Sequence, residues 1–186
     1  QTKWPLAIRS SSLLEDSSHQ PFAGVYATYM LANDHPELEV RLRRLLEAIK
    51  LVYASTYHRG AKAYVAATPS TIEDERMAVV IQDLIGDEIN GRFYPIISGA
   101  ARSRNHYPVE PLIAEDGIAA ICIGLGRQVS AGGKCLRYSP GQPRRIHQFH
   151  SNQAILDTSQ RNFFAIPMNQ EEGAVHSSEE LNLLNL

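Results

Sequence analysis

Short apolar runs alternate with polar, glycine- or proline-bearing stretches along this chain, and one long amphipathic segment interrupts them. Leu6, Ala7 and Ile8 predict a buried strand that ends in Arg9 and the serines Ser10, Ser11 and Ser12. After Phe22-Ala23-Gly24 a second run follows at residues 25–30, with Thr28 in it. Asn33-Asp34-His35-Pro36-Glu37 carries capping side chains, a proline near the first turn and an acid, which together mark a helix start. Leu38, Leu42, Leu45, Ile49 and Tyr53 then recur at steps of four and three, predicting one apolar stripe, with Arg41, Arg43, Arg44, Glu47 and Lys50 on a solvated face. The helix is expected to continue through Ala54, Tyr57 and Ala61 to Tyr64, weakened at Gly60 and ended by Thr68-Pro69-Ser70.

Residues 77–82, M-A-V-V-I-Q, form a continuous β-branched run and predict a central strand. Asn90-Gly91 is a strong hairpin signal, with residues 93–97 as the return strand. Glu115-Asp116-Gly117 predicts the opening of a helix over 118–123 that ends at Gly124-Leu125-Gly126, and residues 134–139 predict a strand broken by Pro140-Gly141-Gln142-Pro143. Phe163, Phe164, Ile166 and Met168 predict an edge strand, residues 169–174 a polar linker, and Ser177 with Glu180 the capping box of a helix just beginning. The resulting fold class is α+β.

Composition narrows the functional classes. With 186 residues, 44% hydrophobic and 20% charged, the chain has the makeup of a soluble globular domain, alone or with an appendage. A net charge of -2 and a pI near 6.4 leave no electrostatic footprint for nucleic acid or an anionic membrane. No stretch approaches the roughly 20 apolar residues of a membrane span, and no charged-then-apolar leader is visible. Cys122 and Cys135, thirteen apart and outside any C-x-x-C, predict two free thiols in a reducing cytoplasm. A first residue of Gln1, with a strand almost at once, suggests an excised piece of a longer protein.

The chemistry gathers at Arg9. A planar guanidinium followed by small hydroxyls suits phosphate oxygens, and the same residues also read as a solvated strand end with a helix cap behind it. Arg102 and Arg104, in the stretch 98–105, read either as further cations for phosphates or as part of a surface loop. Gln82 reads as the polar close of an ordinary strand or as one wall of a ligand site. His147 and His150 are three apart without a cysteine or carboxylate at ligand spacing, so no metal site is expected. Gly124 and Gly126 invite a dinucleotide fingerprint, which requires strand, turn and helix in that order; a helix is expected before them.

R-S-S-S-L-L-E-D at residues 9–16, followed by Phe22-Ala23-Gly24 and Thr28, resembles the nucleotide-binding segment of phosphoenolpyruvate synthase (pyruvate, water dikinase), pyruvate phosphate dikinase and the rifampicin phosphotransferases. Their usual pattern is V-R-S-S-A-x-x-E-D, then S-F-A-G-Q-Q-x-T. Departures are Ser12 for Ala, Pro21 before the Phe, and Val25-Tyr26 for the Gln pair. Ala54-Ser55 and Tyr64 match the family's A-S…Y helix, and Gln82-Asp83-Leu84 occupies its Q-x-M crossover. The family's W-G-L-G-E-x-x-V-x-G sits at Gly124-Leu125-Gly126 with Ile123 for Trp, which makes Gly124, Gly126 and Gly133 expected turn residues, and Ile97 replaces the acid of F-T-x-D-P. The resemblance covers most of residues 4–140 and loosens after residue 97.

This resemblance implies an ATP-grasp-like nucleotide-binding domain over residues 1–168, with 169–186 as linker and start of a truncated helix. It implies ATP and magnesium as cofactors, and as partners the phosphohistidine and pyruvate-binding domains of the same parent chain. Arg9 is the expected catalytic phosphate clamp. Thr28, Gln82, Asp83 and Leu84 are the expected further ATP contacts, and Ser10, Arg102 and Arg104 are candidate phosphate contacts. The family's upstream Lys, its D-x-E and Q-x-R, and its carrier motif T-x-G-G-x-x-x-H are not found, so magnesium ligands are expected outside this fragment and the isolated fragment is expected to be inactive. The alternative reading is a non-catalytic relative that binds a nucleotide or a partner as a regulator.

Overall fold

Seven consecutive residues, Leu6–Ser12, pair along their whole length with Met77–Asp83, so the first strand continues through all three serines. Backbone pairing decides this. Each residue of the stretch has a register partner on the neighbouring strand, and serine is small enough to sit on either face of a pleated strand. Arg9 therefore stands in the middle of a strand and not at its end, which corrects the expectation from the apolar run alone.

The computed structural model describes residues 3–12, 25–67, 76–168, 176–177 and 182–185. In chain order the elements are β1 (Leu6–Ser12), β2 (Tyr29–Leu31), α1 (Leu38–Ser55), α2 (Arg59–Ala66), β3 (Met77–Asp83), β4 (Asp87–Ile89) and β5 (Arg92–Tyr94). There follow β6 (Ser98–Arg102), β7 (Ile118–Cys122), α3 (Arg127–Ser130), β8 (Leu136–Tyr138), α4 (Asn152–Thr158), β9 (Asn162–Pro167), β10 (His176–Ser177) and β11 (Asn182–Asn185). They form an α+β protein of antiparallel sheets in two compact units, Gln1–Phe93 with Ile166–Leu181, and Tyr94–Ala165 with Asn182–Leu186. Among the described residues no helix is long and apolar enough to cross a membrane.

In the first unit the strands run in the order β10-β2-β1-β3, so β3 lies at the edge and not at the centre as its apolar run predicts. Met77 and Val79 turn toward the helix while Ile81 is 47% exposed; a continuous apolar run does not reveal which strand has a neighbour on each side. The core is Leu6 and Ile8 with Tyr29 and Leu31, closed by Ala48 and Val52 of α1. Ala48 and Val52 are wholly buried, whereas Leu38, Leu42 and Leu46 are about half exposed. The contact stripe keeps Leu45 and Ile49 of the expected line, which pack against the core, but it is centred on Ala48 and Val52 and leaves Leu38, Leu42 and Tyr53 exposed.

Arg41 corrects the expectation of a solvated charged face. It is buried, and its Nη1 donates to the carbonyl oxygens of His35 at 2.7 Å and Pro36 at 3.3 Å, tying the entry of α1 together where Glu37 provides no side-chain cap. Hydrogen bonds from a charged donor contribute about 1.5–3 kcal/mol. Arg41→Ala is therefore expected to destabilise the protein by that amount, and Arg41→Met, which retains the packed stem, by nearly as much. A urea midpoint unchanged in both variants would remove this role.

Helix α1 ends at Ser55, whose hydroxyl donates back to the Val52 carbonyl, and α2 starts at Arg59. The break falls at residues 56–58 and not at Gly60, which lies inside α2. Ala61 and Val65 of α2 pack on Tyr26. Asn90 and Gly91 both take positive φ, 53° and 70°, and join β4 to β5 as the Asn-Gly pair predicts. Phe93 is 2% exposed and meets Trp4 edge-on at 6.1 Å. β5 stops at Tyr94 because Pro95 follows, so the return strand is shorter than expected.

In the second unit β7 pairs with β6 on one side and β8 on the other. The expected helix over 118–123 is this strand. Gly117, at φ 69°, blocks continuation from the short 3-10 turn Ala114–Asp116, and cross-strand partners settle the ambiguous run I-A-A-I-C. Residues 98–102, part of the stretch read either as a source of phosphate-binding cations or as a surface loop, are the strand β6. β9 is paired and not an edge: Ile166 and Pro167 pair with β5 in the first unit, and Asn162 to Ala165 pair with β11 in the second. Ser177 and residues 182–185 are extended in β10 and β11 where a capped helix was expected, because each finds a strand partner. The linker residues 169–174 lie outside the described residues.

Candidate functional site

Side chains alternate along a strand, so the faces of the first unit's sheet follow from its register. Leu6, Ile8, Ser10 and Ser12 point toward α1, while Ala7, Arg9 and Ser11 point away. Ala7 lies opposite Met30 on one side and Gln82 on the other, and Arg9 lies opposite Val80. Arg9 and Gln82 are therefore diagonal neighbours on the face away from α1, a separation of about 7–8 Å that long side chains readily span. Both are exposed. Thr28 immediately precedes β2; Ala27 and Tyr29 on either side of it pack on the core with Ile8, so Thr28 between them turns to the face away from α1, as Arg9 does.

One face thus holds Arg9, Thr28, Gln82 and Ser11, a cation with three neutral hydrogen-bonding side chains around the apolar floor of Ala7, Val80 and Met30. A guanidinium beside hydroxyls and an amide over apolar side chains matches the parts of a nucleotide, whose phosphates need donors and whose base needs a flat apolar contact. The other residues singled out by sequence do not share it. Ser10 is buried and faces α1, and Asp83, opposite Leu6, points to that same side. The Leu84 N–H is already engaged by the Pro5 carbonyl at 2.8 Å, so its side chain and carbonyl are what it has to offer a base. Glu15, Asp16, Phe22, Ala23 and Gly24 lie outside the described residues.

Arg102 and Arg104 belong to the second unit. Arg102 closes β6, exposed and opposite Ile118. Arg104 Nη1 meets Glu115 Oε1 at 2.9 Å, with both side chains 62% exposed. A bridge that open contributes about 0.2–1 kcal/mol, so it holds Arg104 only lightly. Ile97, which replaces the acid of the resembled pattern, is 65% exposed. His150 Nδ1 is 2.8 Å from the His147 carbonyl oxygen, a local contact.

Among the described residues no group of three His, Cys, Asp or Glu side chains comes together. Magnesium takes one or two carboxylates together with phosphate oxygens, and Asp83 faces away from Arg9. The described residues do not fit a magnesium cage.

Sequence reasoning missed Arg127. It follows Gly124-Leu125-Gly126, its guanidinium lies over the Phe164 ring at 4.9 Å, and its Nη1 is buried without a hydrogen-bond partner among the described residues. The signal was available: the resembled pattern G-L-G-E has Glu where this chain has Arg. The same glycines follow strand β7 directly, which meets one requirement of the dinucleotide fingerprint. The antiparallel sheet and the four-residue α3 fail the rest.

No curated protein matches this chain. A family model described as pyruvate phosphate dikinase, AMP/ATP-binding domain, matches residues 1–179 of the 186. That match takes in β1, β2 and β3 with the Arg9 face, as well as β7 and the glycine turn after it. The chain therefore belongs to the family of pyruvate phosphate dikinase AMP/ATP-binding domains.

Proposed function

We propose that this chain supplies the nucleotide-binding part of a phosphoenolpyruvate synthase-like phosphotransferase with an ATP-grasp-like fold. Its parent converts ATP, pyruvate and water to phosphoenolpyruvate, AMP and phosphate through a phosphohistidine on another domain. The observation that carries the reading is the convergence of Arg9, Thr28 and Gln82 on one sheet face from three separate strands or their edges. In this reading Arg9 grips the phosphates, Thr28 adds a hydroxyl to them, and Gln82 with Leu84 lines the adenine. Phosphoryl transfer asks mainly for positioning and neutralisation of charge, and a guanidinium carried on a paired strand contributes the charge.

The exposure of Arg9 limits what this chain does alone. An open guanidinium–phosphate pair contributes about 0.2–1 kcal/mol, far from the roughly 8 kcal/mol of a micromolar complex. Amide NMR of the chain titrated with Mg-ATP is expected to move Arg9, Thr28 and Gln82 at millimolar nucleotide, with Arg9→Ala weakening the response up to about fivefold. Micromolar affinity by calorimetry would sink the weak-binding prediction. Shifts confined to other residues would sink the site.

A further inference from the structure

Cys122 and Cys135 are assigned no role in nucleotide binding, yet the sheet of the second unit sets them at adjoining ends of paired strands, one step beyond the last pair of the β7–β8 ladder. β7 and β8 pair antiparallel through Ala119 with Tyr138, Ala120 with Arg137 and Ile121 with Leu136. The next step of that register is Cys122 opposite Cys135. Both are free thiols, 4% and 2% exposed, and both line one cavity of about 260 Å³. Its other walls include Ile97, Ile121, Ile123 and Phe149, so the thiols line a largely apolar pocket that opens to solvent.

We propose that Cys122 and Cys135 form a cross-strand dithiol that closes to an intramolecular disulfide by exchange with a low-molecular-weight disulfide. Directly opposed residues in an antiparallel pair have Cα atoms about 4.5–5.5 Å apart, within the roughly 4.4–6.8 Å that a disulfide spans. One cysteine thiolate attacks a sulfur of the small disulfide, forming a mixed disulfide and releasing one small thiol. The second cysteine thiolate then displaces the other small thiol. The two protein thiols are oxidised, the reagent is reduced to two thiols, and the two protons leave with them. The cavity is the route by which a small reagent reaches sulfurs that are otherwise buried.

Closing the bond has a local structural consequence. The Cys122 thiol now lies 3.4 Å from Ser98 Oγ and donates to the Leu125 carbonyl at 3.9 Å. Turning it toward Cys135 removes both contacts, two residues before Gly124 and inside the glycine turn. The disulfide is therefore a covalent brace across β7 and β8 that releases one tether of that turn.

The test is to incubate the folded chain with oxidised glutathione, alkylate the remaining thiols and map peptides without reduction. The expected result is loss of both alkylatable thiols and one peptide joining Cys122 to Cys135, with no glutathione retained. In Cys122→Ser the exchange should stop at a glutathione adduct on Cys135, and in Cys135→Ser at one on Cys122. Two separate adducts on the wild-type chain, an intermolecular bond, thiols unreacted in the folded state, or a Cys122–Cys135 bond that forms only in urea would each overturn the proposal.

Discussion

Ile8→Asp is expected to abolish cooperative folding of the first unit, while Arg9→Asp, one residue further on, leaves stability within about 0.5 kcal/mol of the wild type. Ile8 is wholly buried between β1 and α1, with Tyr29 and Ile81 as its cross-strand partners. Removing such a side chain from a packed core costs about 2–5 kcal/mol. An unpaired carboxylate in the same place adds a desolvation cost of several kcal/mol more. Together these fall within the roughly 5–15 kcal/mol that holds a whole domain folded. Ile8→Val, which deletes one methylene, should cost only about 0.5–1.5 kcal/mol. The measurements are urea unfolding by circular dichroism and amide exchange in β1. If Arg9→Asp unfolds the protein as well, Arg9 is not on the open face and the nucleotide site built on it fails with it.

How far the sequence discloses this structure varies by position, and for physical reasons. The turn at Asn90-Gly91 was legible because both residues must adopt positive φ, and few other pairs do so without strain. The run I-A-A-I-C was not legible as a strand. Its acidic, glycine-bearing prelude imitates a helix start, and what decides it is hydrogen bonding to residues about twenty positions away on one side and sixteen on the other. Arg41 misled for a related reason: a long charged side chain is normally solvated, and only two carbonyls at a helix entrance reveal why this one is not. Arg9 was singled out by the R-S-S…E-D motif, but which residues share its face was not legible. That Gln82 and Thr28 share its face while Ser10 and Asp83 do not is a matter of register, and register depends on which residues pair across strands.

The two glycines of Gly124-Leu125-Gly126 look equivalent in sequence, and the structure predicts opposite responses to alanine. Gly124 has φ 82°, and a Cβ there would lie 2.8 Å from Phe163 Cβ and 2.8 Å from the Phe164 carbonyl oxygen. Its N–H donates to Pro95 at 3.1 Å, and the next N–H, of Leu125, donates to Phe164 at 2.9 Å, so the turn is pinned to β9 and has no room to move away. Left-handed backbone costs an alanine about 1–2 kcal/mol, and overpacking against fixed atoms costs about 1–3 kcal/mol more. Gly124→Ala should therefore lose about 2–5 kcal/mol of stability. Gly126 is at φ -60° and ψ -8°, and its nearest neighbour to an added Cβ is Ser98 Oγ at 3.8 Å. Alanine fits there without strain, and by restricting the unfolded chain it should stabilise by about 0.4–1 kcal/mol. Urea midpoints of the two variants measure the difference directly. Equal effects, or a loss at Gly126, would mean that the turn is not anchored on Phe163 and Phe164, and that the second glycine answers to a constraint other than its backbone.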